Sequence, residues 1–308
     1  MLSAAQHEAV TSEAARPLQI LAGPGSGKTR VLTSRVAHLV RDSAAPIAPE
    51  RCVVVTFTNR AANEMRARLE TMIGADRTRR LVLGTFHAVC VRFLRRWGTR
   101  LGLDPRFTIA DTDDARRLLR DVDRDAPVDA TLAAISRAKA HGWTPDELRA
   151  SAQHAPGSPA HTEHLALCRT YAAYQQQLRT SHALDFDDLL LLGVRLFREH
   201  PELTTHIDHV LVDEFQDTNA VQYELLRRLS RHVSVVGDPD QSIYSWRHAD
   251  VRHIERMHLD FPGLHRVLLE ENYRSTPQIL EAALRVMQQD PHRIPKGLVS
   301  YTHLRAHE

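Results

Sequence analysis

The stretch Ala22-Gly23-Pro24-Gly25-Ser26-Gly27-Lys28-Thr29 constrains this chain more than any other. Leu18, Ile20 and Leu21 before it read as the end of a buried strand, and Val31, Leu32, Val36 and Leu39 after it recur at helical spacing. A strand, a glycine-rich loop and a helix in that order form a phosphate-binding loop. Its glycines let consecutive N–H groups turn inward on phosphate oxygens, and the helix adds the positive end of its dipole. Lys28 is placed to reach terminal phosphates and Thr29 to ligate Mg2+. Ala22 stands where the general pattern has glycine, a small change that leaves room for the turn.

The 308 residues suggest about two domains, and 43% hydrophobic residues is ordinary for a globular chain. A net charge of +2 neither demands nor excludes a nucleic-acid partner, so local patches must decide. Cys52, Cys90 and Cys168 lie far apart without metal-type spacing, which argues for a reducing compartment. The opening residues lack the pattern of a signal peptide and no apolar run has membrane-spanning length; a cytoplasmic protein with no membrane partner is expected.

Along the chain, a short helix from Leu2 to Val10 carries Gln6, whose amide suits the edge of adenine, although a solvated helix glutamine is far commoner. Arg51 to Thr58 is a second strand, closed by Phe57, Thr58 and Asn59, with a helix from Ala61 to Ile73 behind it. Leu81 to Leu83 is a third, leading through Gly84-Thr85-Phe86-His87 into an arginine-bearing helix. Strands vanish from about Asp104 to Ser181, which reads as a helical insertion. His161, His164 and Cys168 there share a helix face, but no fourth ligand is near and a bland surface is favoured over zinc. The fourth strand, His209 to Glu214, runs straight into Asp213 and Glu214, which puts two carboxylates at the C-terminal sheet edge beside the loop. Such acids hold Mg2+ (Asp213) and orient the attacking water (Glu214). After a fifth strand, Val233 to Gly237, Gln241 is placed to sense a terminal phosphate. Tyr244, Trp246 and Arg247 follow as ingredients of a platform for unpaired bases, with core packing equally open for Tyr244. A sixth strand, Arg266 to Leu269, precedes Tyr273 and Arg274, and Pro277 starts a helix whose apolar face holds Ile279, Leu280, Leu284 and Met287.

Together these motifs resemble superfamily 1 helicases of the UvrD, PcrA and Rep type. The resemblance runs in order from about Leu2 to Leu298. It takes in the Gln6 region, Ala22 to Arg30, Thr56 to Ala62, Gly84 to His87, Asp185 to Leu189, Val212 to Asn219, Gly237 to Arg247 and Asn272 to Ser275. It implies a RecA-like parallel α/β sheet flanked by helices with an inserted α-helical subdomain. The implied activity is a motor moving 3′ to 5′ on single-stranded DNA, or on duplex with a 3′ single-stranded tail, driven by ATP and Mg2+. By the same resemblance Gln6 reads adenine, Arg30 and Tyr273 sandwich it, and Gln241 and Arg274 contact the γ-phosphate. Phe57, Asn59, His87, Phe186, Tyr244, Trp246 and Arg247 line or support the DNA track. Arg60 replaces the usual lysine, His248 a common glycine, and the second motor core does not follow the first helix. The expected layout is a motor core at 1–103 and 182–274, a helical insertion at 104–181, the start of a second core at 275–298, and a tail at 299–308. Ser300 to Glu308 resembles a translated sequencing-library adapter, so the tail is expected to be non-native. A helicase–nuclease of the RecB or AddA kind, or a nucleotide-dependent single-strand clamp, remains as an alternative.

Overall fold

The computed structural model describes residues 2–151, 157–230, 232–244, 249–289 and 296–302, and the chain divides into two compact units. The first comprises Met1–Val89, Glu202–Thr218 and Leu226–Glu308. Its sheet is built from β1 (Leu18–Ala22), β2 (Cys52–Thr56), β3 (Val82–Thr85), β4 (His209–Val212), β5 (Val233–Gly237) and β6 (His265–Leu269), in the spatial order β3-β2-β4-β5-β1-β6. Every adjacent pair is parallel. β1, β2 and β5 are buried at all five positions, as their unbroken apolar runs require of strands covered on both faces. Each fully buried Val, Leu or Ile contributes roughly 1.5–3 kcal/mol. β6 alternates exposure from Arg266 onward, as befits an edge strand.

Parallel pairing requires crossovers that return each strand to the same end, so the loops after β1, β2, β4, β5 and β6 open on one sheet edge. Three helices bring side chains to that edge. α1 (Ala4–Thr11) starts at Ser3 through a capping box with Gln6. α2 (Lys28–Ala37) follows the glycine loop, and α3 (Asn59–Ile73) follows β2 and is capped by Thr58. The fully buried Arg35 of α2 donates to the carbonyls of Ala9, Val10 and Ser12 at 3.1, 3.2 and 2.9 Å and to Ser234 Oγ at 2.7 Å. It thereby clamps the end of the helix that carries Gln6, and burial lowers its pKa to about 10.

In the helix Pro277–Met287 the apolar residues read as one face are not equally covered. Ile279 is 61% exposed, but Leu280 is buried and Leu284 and Met287 are half-buried. Positions 280, 284 and 287 form one stripe at spacings of four and three, and the helix packs beside the short strand Val299–Ser300. Ile279 and the 66% exposed Val286, seven apart, lie on another stripe. Val299–Ser300 pairs in parallel with Glu271–Asn272.

The second unit, Cys90–Pro201 with Asn219–Leu225, is helical apart from a two-stranded pairing of Thr108–Ile109 with Ala183–Leu184. Leu119, Ile135, Tyr171, Tyr174 and Leu178 form its core, and Phe93 stacks on Trp97 at 5.4 Å while Phe197 meets both edge-to-face at 5.3 and 6.1 Å. A fully buried Lys139 sits between Asp185 and Asp188 at 2.6 and 2.7 Å. His164 Nε2 contacts the Leu148 carbonyl at 2.9 Å, and Cys168 is buried in this core.

Candidate functional site

The glycine loop has the backbone its sequence requires. Gly25 and Gly27 sit at φ +65° and +83°, conformations that glycine alone adopts without cost. A β-carbon on Gly25 would stand 2.6 Å from Arg274 Cβ. Ser26 Oγ donates to the Gly23 carbonyl at 2.7 Å and Gly23 N to the Leu269 carbonyl at 3.0 Å, which fixes the curl to β6. Gly27 gives α2 no side-chain cap, so its first-turn N–H groups are left for an anion.

Lys28 opens α2, with 11% of its side chain exposed. Its Nζ donates to Gln241 Oε1 at 2.9 Å and lies 3.6 Å from Glu214 Oε2. Residues from the ends of β1, β4 and β5 thus meet around one ammonium. Asp213 ends the β4 pairing, its N–H donating to the Val55 carbonyl at 2.9 Å, and is 4% exposed. Burial first, and then the neighbouring Glu214, push its carboxyl up to about 7. Glu214 adopts φ +47°, which turns the chain sharply after the strand; a non-glycine residue there is uncommon. Asp217 is pushed up to about 6 by burial and by Glu214, and its Oδ1 is buried without a hydrogen-bond partner.

Crowded, desolvated carboxyls beside a phosphate loop fit a divalent cation, which would relieve their cost of ionisation. Among the described residues no group of three or more His, Cys, Asp or Glu is placed to hold a metal unaided. Magnesium in nucleotide sites takes one or two carboxylates and completes its shell from phosphate oxygens and water, a demand the Thr29 hydroxyl and Asp213 could meet.

Gln6 is 3% exposed. Its Oε1 accepts from Ser3 N at 3.1 Å and its Nε2 donates to the Ser26 carbonyl at 2.9 Å, leaving the amide one further donor and one further acceptor position. A β-carbon on Gly27 would stand 3.2 Å from Gln6 Nε2 and 3.9 Å from Arg30 Cβ. Tyr273 N donates to the Gly25 carbonyl at 3.1 Å, so Tyr273 and Arg274 are pinned to the same loop. Sequence reasoning assigned no role to the residues that do the pinning. Fully buried Asn272 donates to the Pro24 carbonyl at 2.6 Å and accepts from the N–H groups of Arg274 and Ser275. Gln216 donates to Glu214 Oε2 at 2.9 Å and accepts from Asp238 N at 3.0 Å. Both belong to motifs already visible in the sequence, so a buried amide beside each functional residue was the available signal.

Of the residues expected at a DNA track, Phe57 and Tyr244 stack at 5.1 Å with planes at 32°, and Tyr244 is half-buried. Asn59 is exposed at the start of α3. His87 is half-buried, and burial holds its imidazole below the usual range, hence neutral at pH 7. Phe186, 49% exposed, belongs to the second unit. Trp246, Arg247 and His248 lie outside the described residues. No helix among the described residues is long and apolar enough to cross a membrane.

A parallel α/β sheet with a glycine loop, a half-buried lysine and paired acids on one edge defines an α/β protein of the phosphate-loop type. Residues 2–262 match the UvrD/REP helicase N-terminal domain, and the chain belongs to that helicase family. It is 42% identical over 296 residues to the ATP-dependent DNA helicase PcrA of Leuconostoc citreum, an alignment covering 92% of this chain and 38% of that protein. The proteins of the same name from Staphylococcus epidermidis and Staphylococcus aureus are each 40% identical, over 96% and 95% of this chain and 41% and 40% of theirs. The chain therefore spans about two fifths of the length of the curated relatives it matches.

Proposed function

We propose that this chain binds and hydrolyses ATP as part of a cytoplasmic motor that moves 3′ to 5′ on single-stranded DNA. The observation that carries this is the meeting of Lys28, Gln241 and Glu214 within 2.9 to 3.6 Å at the edge where Asp213 also emerges. Loop N–H groups and Lys28 would hold the β- and γ-phosphates, with Gln241 and Arg274 on the γ-phosphate. Mg2+, held by Thr29 and Asp213 with the triphosphate, would neutralise charge that develops on the phosphate oxygens. Glu214 would orient the attacking water, its carboxylate held by Gln216 at 2.9 Å. Tyr273 and Arg30 would enclose adenine, and Gln6 would read its edge with the amide positions left over from Ser3 and Ser26.

Phe57, stacked on Tyr244, would start a base platform, with Asn59 and His87 also proposed to meet DNA; Trp246, Arg247 and Phe186 are further proposed DNA contacts. Gln241 lies three residues before Tyr244, so a change at the γ-phosphate has a short route to the DNA. The layout proposed is a motor core at 1–103 and 182–274, a helical insertion at 104–181 and the start of a second core at 275–298. In the resembled family a further arginine completes the site from a second core. Because such an arginine supplies about 10³ to 10⁵ in rate, the 308-residue chain is proposed to turn ATP over slowly by itself.

Steady-state ATP hydrolysis with and without single-stranded DNA tests the proposal. Slow turnover abolished by Lys28→Ala supports it, and equal turnover in the two proteins sinks it. Fast DNA-stimulated turnover by this chain would overturn the claim that it needs more.

A further inference from the structure

Lys296 has a side chain with no solvent exposure, and the carboxylate it meets, Asp238, has none either. Its ammonium contacts Asp238 Oδ1 and lies 3.3 Å from Asp240 Oδ2. A fully buried ion pair contributes little net stability, because desolvation offsets most of its attraction. Its geometry shows another use. Asp238 Oδ2 accepts from Gln241 Nε2 at 2.6 Å, and Gln241 Oε1 accepts from Lys28 Nζ at 2.9 Å. A carboxylate only accepts and an ammonium only donates, so these two partners permit one orientation of the amide: oxygen toward Lys28, one N–H bonded to Asp238, the second N–H left over. That second N–H is what a γ-phosphate oxygen would engage.

The same stretch reaches other walls of the site. The side chain of Leu298 stands 2.2 Å from where a β-carbon on Gly23 would be, so it packs directly over the glycine loop. Val299 N and Tyr301 N donate to the carbonyls of Glu270 and Asn272 at 2.9 and 2.8 Å, just before Tyr273 and Arg274. Asp238 N is tied through Gln216 to Glu214. Lys296 thus lies at the head of a chain of contacts that ends on the lysine and the acid of the phosphate site.

We propose that Lys296 is a positioning residue for γ-phosphate recognition: it anchors Asp238, which sets the orientation of Gln241 beside Lys28. This rests on the assignment of Gln241 to the γ-phosphate. The variants Lys296→Met, Lys296→Arg and Gln241→Ala are made in the 308-residue chain, and dissociation constants for Mg-ATP and Mg-ADP are measured by calorimetric titration. Gln241→Ala and Lys296→Met are each expected to lower the preference for ATP over ADP by about tenfold, the size of one charge-assisted hydrogen bond. ADP affinity, which a folded loop suffices to provide, is expected to stay within about twofold in Lys296→Met because the Lys296 ammonium acts on Asp238 and Asp240. Lys296→Arg keeps the preference, and combining Lys296→Met with Gln241→Ala adds no further loss. If Gln241→Ala lowers the preference and Lys296→Met does not, Lys296 is structural only and the inference fails alone. If Gln241→Ala itself has no effect, the γ-phosphate assignment falls and takes the inference with it. Should Lys296→Met fail to fold, Asp238→Asn, nearly isosteric and with Asp240 still facing Lys296, answers the same question: an unchanged preference there overturns the proposal.

Discussion

Asp213 is costly to the protein that carries it, and the size of that cost gives a direct test. Burial and Glu214 move its carboxyl from 3.8 to about 7. At 1.36 kcal/mol per unit, keeping it ionised at pH 8 costs the folded, ligand-free chain up to roughly 4 kcal/mol. The folded-state pKa lies above the unfolded one, so the folded chain binds the proton more tightly. The resulting stabilisation is fully present below pH 3.8 and is lost as pH rises through 7. Asp213→Asn is neutral at every pH, and its amide oxygen can still accept from Glu214 N, as Asp213 Oδ1 does at 3.1 Å. At ~2–4 °C per kcal/mol, the ceiling corresponds to a melting shift on the order of 10 °C. The variant should therefore melt several degrees above the parent at pH 8 without nucleotide, the gap closing toward pH 5. Asp217 also titrates near 6 but is present in both proteins, so to first order it cancels. Mg-ATP should stabilise the parent and fail to stabilise the variant. Scanning calorimetry at pH 5, 6, 7 and 8 reads all of this. Equal melting at pH 8, or a gap that widens on acidification, would show that Asp213 is neither desolvated nor strained by its neighbour.

Other sites give independent checks. Gly25→Ala puts a β-carbon at positive φ and against Arg274, and should cost about 1–3 kcal/mol in urea denaturation and lower nucleotide affinity. Lys139→Met strands Asp185 and Asp188 in the second unit and should cost about 3–5 kcal/mol; a loss under about 1 kcal/mol would mean those carboxylates find water. Phe57→Ala removes one base platform and should weaken single-stranded DNA binding by about 1–3 kcal/mol in fluorescence anisotropy while leaving ADP affinity intact. An effect on both ligands would instead make Phe57 a structural partner of Tyr244.

Much of the sheet can be read directly from apolar runs. Cys52 to Thr56 and Val233 to Gly237 have no polar break long enough to face water, and each leads into a loop that carries residues proposed for the site. The acids after β4 and the loop after β1 could be placed on one edge because parallel strands share their ends. The spatial order β3-β2-β4-β5-β1-β6 is not written in any local pattern, because pairing partners are chosen by the packing of the whole sheet. Helical stripes were ambiguous for the same reason. The periodicity of Pro277–Met287 fits either stripe, and only the neighbouring strand decides that Leu280 is covered and Ile279 is not. The polar bridges were least legible. Lys296 and Asp238 are 58 positions apart, Lys28 and Gln241 are 213 apart, and neither lysine sits in a pattern that names its partner. Gln6 illustrates the middle case: its capping role with Ser3 is local, whereas its bond to Ser26 appears only once α1 is clamped by Arg35.

The central claim is that one triphosphate is held jointly by Lys28, the acids after β4 and Gln241. Titrating the 308-residue chain with a fluorescent ATP analogue, with Mg2+ and then with excess chelator, addresses it most directly. A single saturable site, weakened at least about tenfold both by Lys28→Ala and by chelation, is the result the geometry requires, since each removes a charge-assisted contact. Binding that survives both changes undiminished would contradict the account.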